Sequence, residues 1–161
     1  MAEKKLKTNA MRMLDSHKIP YEVLTYEVDE EDLSGETAAK KVGMECERMF
    51  KTLVLRGDKN GVLVACIPVN ATLDLKKLAQ VSGNKRVEMV PLKEVLPLTG
   101  YIRGGCSPIG MKKDYPTYMD ETIELHDTVA FSGGHRGYQV LLRPQDMVAV
   151  TGATLCDICD F

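Results

Sequence analysis

Apolar positions along the chain follow two different periods. Leu6, Ala10, Met13 and Leu14 fall on one helical face, which predicts an opening amphipathic helix over Leu6–His17 that Pro20 ends. Tyr21–Tyr26 reads as a strand. Ser34 is placed to cap a helix running through Val42, with Gly43 at its stop position. "MFKTLVLRGDKNGVLVACIPV", Met49–Val69, holds two β-branched-rich apolar runs around a Gly/Asp/Asn turn and predicts a β-hairpin. A helix is expected over Leu73–Val81, between Thr72 and Gly83, then a strand over Arg86–Val90 and a short helix opened by Pro91. Thr128–Ser132 and Tyr138–Arg143 predict a second hairpin around "SGGHRG", and Pro144–Val150 a last helix. Strands and helices mix without a regular βαβ alternation. The expected class is therefore α+β, with helices flanking a mixed, mainly antiparallel sheet. No linker, repeat or low-complexity tract divides the 161 residues, so one domain over 1–161 is expected.

Composition adds little beyond a globular class: 44% of residues are hydrophobic and 27% charged. The net charge of −2 argues neither for nor against a polyanionic partner, but its distribution is uneven. Lys76, Lys77, Lys85 and Arg86 stand in a stretch without acids, whereas "EVDEEDLSGE", Glu27–Glu36, is almost purely acidic. Two readings stand: two solvated faces, or a basic footprint for a phosphate-bearing partner. No apolar run has signal-peptide or bilayer-spanning length, which predicts a cytoplasmic protein without a membrane partner. Cys46, Cys66, Cys106, Cys156 and Cys159 are irregularly spaced, as expected of reduced thiols.

Three features bear on chemistry. Lys51 is the one charge in "MFKTLVL", and strand alternation places it with Met49, Leu53 and Leu55. Its ammonium either opens into a pocket or snorkels to water at a strand end. Two glycine loops, "RGGCSPIG" and "FSGGHRG", each pair glycines with an arginine, Arg103 and Arg136. They suit either an anion-binding nest or plain tight turns. His17, His126 and His135 have no metal or triad spacing, and Cys156 with Cys159 forms a lone C-x-x-C lacking a second ligand pair. Cys106, beside Ser107, has no evident base.

"FKTLVL" (Phe50–Leu55), "LDLKKLA" (Leu73–Ala79), "TGYIRGGCSPIG" (Thr99–Gly110) and "SGGHRG" follow one another in a characteristic order. In these motifs, and nearly end to end, the chain resembles the YbaK/EbsC family of aminoacyl-tRNA deacylases. These are free-standing relatives of the editing domain inserted in bacterial prolyl-tRNA synthetases. The resemblance implies a mixed-sheet α+β fold and the clearance of cysteine mischarged onto proline tRNA. It implies Lys51 and Gly104 as catalytic residues. Tyr26, Thr52, Gly105, Ser107, Ser132, Gly134, Arg136 and Gln139 are then expected around the substrate. Lys76, Lys77, Lys85 and Arg86 become candidates for the tRNA backbone. No cofactor, metal or DNA is expected, and prolyl-tRNA synthetase is a candidate partner. Two positions depart from the family pattern: Gln139 stands where an acidic residue is usual, and His135 where a lysine or arginine is common. Lacking a nucleophile, the family points to attack by the substrate's own thiol. Alternatives are another mischarged substrate such as Ala-tRNA(Pro), a tRNA- or synthetase-binding module without activity, and a small-molecule phosphate binder.

Overall fold

Thr8 decides where the chain first becomes helical. In the computed structural model, which describes residues 6–160, its Oγ1 accepts the N–H of Met11, and α1 runs Asn9–Ser16. The helix thus begins three residues later than the expected Leu6, because the capping side chain takes the place of another helical turn. Ala10, Met11 and Leu14 form its buried face. After β1 (Glu22–Thr25), α2 (Gly35–Val42) has the expected ends: Ser34 Oγ accepts the Thr37 N–H, and Gly43 closes it at φ +73°.

The first hairpin is β2 (Phe50–Gly57) against β3 (Gly61–Pro68), antiparallel over its whole length. The helix expected from Leu73 instead starts at Leu75: α3 spans Leu75–Ser82, capped by Asp74, whose carboxylate accepts the N–H groups of Lys76 and Lys77. Thr72 and Leu73 form β4, which pairs with β10 (Cys159–Asp160) near the chain's far end. The remaining strands and α-helices are β5 (Val87–Met89), α4 (Leu92–Thr99), β6 (Thr117–Asp120), β7 (Val129–Ser132), β8 (Tyr138–Leu142), α5 (Pro144–Thr151) and β9 (Thr154–Cys156).

One sheet has the order β5-β2-β3-β6-β9, antiparallel through β3 and parallel beyond it. A second, antiparallel, has the order β1-β8-β7. The mixed, mainly antiparallel α+β class is as the sequence predicts. The two sheets meet where Met49 forms a parallel bridge to Ala130, and Phe50 stacks on Phe131 with centroids 5.3 Å apart. Helix α1 covers this junction through Met11 and Leu14. On the other face of β2–β3, Leu78 and Ala79 of α3 pack on Leu55, Ala65 and Ile67. Ala38 and Ala39 of α2 pack on Met49, Val69 and Ala130. Among the described residues no helix is long and apolar enough to cross a membrane.

Candidate active site

β3 pairs with β2 over its whole length, but on the other edge β5 reaches only Leu55–Gly57. At the opposite end of that edge the Met49–Ala130 bridge draws in β7. Between the two contacts a cavity of about 340 Å³ opens, lined by Lys51, Thr52 and Leu53. The parallel bridge carries β2 and β7 on in the same direction, so Lys51 and Ser132 follow two residues after the bridged pair and both reach the cavity. Lys51 is half-buried and makes no ion pair among the described residues. It lies opposite Ile67, at the end of an otherwise apolar face. That apolar face ends at the open cavity, where an ammonium can stay hydrated until a ligand enters.

The cavity gathers Tyr26, Lys51, Thr52, Gly104, Ser132 and Gln139 from segments far apart in the chain. Gln139 pairs with Ser132 across β7–β8 and with Leu24 across β1–β8. It is 6% exposed, and its Oε1 has no hydrogen-bond partner among the described residues. A buried acceptor left unpaired costs about 1–3 kcal/mol, so the site holds an acceptor in want of a donor.

The two glycine loops face one another. Arg136 Nε donates to the carbonyl oxygen of Arg103 at 2.7 Å. Gly104 has φ +84°, a left-handed conformation that favours glycine. A Cβ on Gly105 would lie 3.1 Å from the Arg136 nitrogen and 3.2 Å from the His135 backbone, so the loops touch through bare backbone. The Gly105 N–H donates to Ile102 O at 3.0 Å. That bond closes the turn, and Arg103, Gly104 and Cys106 of this loop line the cavity.

The other expected site residues, Gly105, Ser107, Gly134 and Arg136, are not among those lining this cavity. Ser107 is fully buried, with its Oγ accepting the Ile109 N–H at 3.2 Å. Gly134, at φ +96°, packs on Tyr101 and Thr8, and its N–H donates to Ser132 Oγ. Arg136 lines a smaller neighbouring recess with Tyr26 and Gly104. Of the basic residues, Lys76, Lys85 and Arg86 border a different cavity, while Lys77 pairs with Asp157 at 3.1 Å and donates to Cys159 O at 3.0 Å. Cys106 does line the site, and burial pushes its thiol up to about 11, so it is a thiol rather than a thiolate at neutral pH.

Sequence reasoning missed Leu33, Gly35 and Val69 in the cavity wall. One signal was available: a glycine directly after the Ser34 cap. A Cβ at Gly35 would come within 2.3 Å of Val69 Cγ1, so only glycine lets α2 approach so closely.

The profile of the aminoacyl-tRNA editing domain family matches residues 30–150. An Enterococcus faecalis protein named "Putative Cys-tRNA(Pro)/Cys-tRNA(Cys) deacylase EbsC" is 50% identical over 160 residues, 98% of each chain. The proline–tRNA ligase of Thermosipho melanesiensis is 23% identical over 88% of this chain and 28% of its own length. A crystal structure described as a putative trans-editing enzyme for prolyl tRNA synthetase superposes with a TM-score of 0.83 at 27% identity, covering 98% of this chain and 100% of that one.

Proposed function

The chain belongs to the aminoacyl-tRNA editing domain family, and on that premise we propose that it is a trans-editing deacylase that removes cysteine from mischarged Cys-tRNA(Pro). One observation carries the reading. Lys51, Gly104, Ser132 and Gln139, from four separate segments, converge on a single cavity whose own thiol is held protonated.

The substrate is an ester, already activated, so positioning and oxyanion stabilisation supply most of what catalysis requires. The Gly104 amide approaches the ester carbonyl, because no Cβ intervenes. Lys51 binds the terminal adenosine or its phosphate and supports charge developing on the carbonyl oxygen. Tyr26, Thr52 and Ser132 line the same space. Gln139 Oε1 accepts from a donor of the bound aminoacyl-adenosine.

With Cys106 protonated, the nucleophile is the substrate's own side chain. Its sulfur attacks its own carbonyl carbon, and a C–S bond forms as the ester C–O bond breaks. The thiol proton passes to the departing ribose oxygen, releasing tRNA and a cyclic thioester. Alanine and serine have no thiol to do this, which makes the chemistry itself a filter. In this reading the chain acts as one catalytic domain in the cytoplasm, and prolyl-tRNA synthetase supplies the choice of tRNA.

The test is deacylation of cysteinyl-tRNA(Pro) beside alanyl-tRNA(Pro), by the natural protein and by Lys51→Ala. The expected result is rapid loss of cysteine, slowed ~100-fold or more in the variant, the scale on which a lost transition-state contact acts. Loss of alanine instead moves the specificity. Loss of neither by folded protein overturns the reading in favour of a binding module.

A further inference from the structure

A second cavity, of about 370 Å³, lies at the other end of β2, bounded by Arg56 and Gly57, by Leu75 and Lys76 of α3, and by Lys85 and Arg86 ahead of β5. Its two acidic wall residues are Asp58 and Glu88. Asp58 is committed to the scaffold: its Oδ1 accepts the N–H groups of Lys85 and Arg86, at 2.9 and 3.1 Å. That clamp fixes the backbone of two consecutive basic residues and leaves their side chains exposed. Arg56 is held by Glu94 at 2.9 Å. Lys76, Lys85 and Arg86 make no ion pair among the described residues, so three cations from two segments share one concave surface.

Gly57 follows Lys51 by six residues on the same strand, a separation of about 20 Å at ~3.3 Å per residue. A stacked nucleic-acid strand covers that distance in about six nucleotides at ~3.4 Å each. We infer that the Lys76–Lys85–Arg86 cavity is a subsite for the sugar-phosphate backbone of the tRNA acceptor arm, several nucleotides from the ester held at Lys51. The inference rests on the editing function. It adds that the tRNA lies along β2, from Lys51 towards Gly57. Paired Lys77 takes no part, although it neighbours Lys76 in sequence.

The experiment uses uncharged tRNA(Pro), so that no deacylation step enters the readout. Its affinity is measured by fluorescence anisotropy between 50 and 200 mM salt for the natural protein, for Lys76→Ala/Lys85→Ala/Arg86→Ala and for Lys18→Ala. The natural protein is expected to show a steep salt dependence. The triple variant should lose about 2–3 from the slope of log affinity against log salt, at roughly 0.7–0.9 per phosphate contact. Lys18→Ala should leave the slope unchanged. An unchanged slope in the triple variant, or an equal fall in Lys18→Ala, overturns the subsite. So does a triple variant that keeps tRNA affinity but loses affinity for prolyl-tRNA synthetase, which would make the cavity a protein-docking site. A protein that deacylates Cys-tRNA(Pro) yet fails this test keeps its function and loses only the subsite.

Discussion

Arg136 holds Arg103 by its backbone: the guanidinium Nε donates to the Arg103 carbonyl oxygen at 2.7 Å. This bond crosses 33 residues of sequence and fastens the second glycine loop to the first. In the proposed reaction this bond would make Arg136 a positioning residue for the Gly104 loop. Arg136→Ala should lower kcat roughly 10–100-fold, the worth of about 1.5–3 kcal/mol for a charge-assisted hydrogen bond. KM should move much less, and Arg136→Lys should recover part of the loss. Steady-state deacylation kinetics separate this from a purely structural role, which would leave kcat per folded molecule unchanged.

Gly104 needs its left-handed backbone at φ +84°, and an added Cβ would lie 3.3 Å from Arg136 Nε. Gly104→Ala should cost about 1–2 kcal/mol of stability from the backbone alone and abolish most deacylation. Gly152 offers a control: it too has positive φ, +64°, but nothing lies within 4 Å of its added Cβ. Gly152→Ala should show a similar stability loss in urea titration with activity intact.

On the proposed function, Gln139 is expected to set stability against function. Replacing it with leucine removes the unpaired Oε1 acceptor from the cavity wall. Gln139→Leu is expected to stabilise the protein by about 1–3 kcal/mol while raising KM for aminoacyl-tRNA about tenfold. Denaturant titration and kinetics on the same preparation check both halves. A variant both less stable and equally active would remove Gln139 from the substrate site.

Alkaline pH should destabilise the fold. Burial pushes the Cys66 thiol up to about 12 and the Cys106 thiol up to about 11, against about 8.5 for an unfolded cysteine. A raised acid pKa means that the folded chain holds its proton longer than the unfolded chain. Stability from these groups is therefore complete below about pH 8.5 and is lost as pH rises towards 11–12. The melting temperature should fall across that window, and Cys66→Ala should flatten the slope. Cys106→Ala should flatten it too while retaining deacylation, since the proposed nucleophile belongs to the substrate.

Local signals in the chain determined much of this protein. Ser34 and Gly43 bound α2 because a capping hydroxyl and a left-handed glycine act on their own neighbours. The β2–β3 hairpin followed from two apolar runs around one turn. The glycine loops announced themselves by composition, and the resemblance they carry put Lys51, Gly104 and Ser132 in one site. Tertiary structure decided what pairing across distance decides. β6 and β9 are short strands whose parallel partners lie elsewhere in the chain, so no local period marks them. Leu73 reads as the start of a helix preceded by Thr72, until Cys159 and Asp160 pair with these two residues. Lys76 and Lys77 are adjacent and chemically alike, yet one borders an open cavity and the other is held by Asp157. Side-chain type and spacing fix local conformation. Which groups share a cavity, and which are already satisfied, depends on contacts between residues far apart in sequence, and those exist only once the chain has folded.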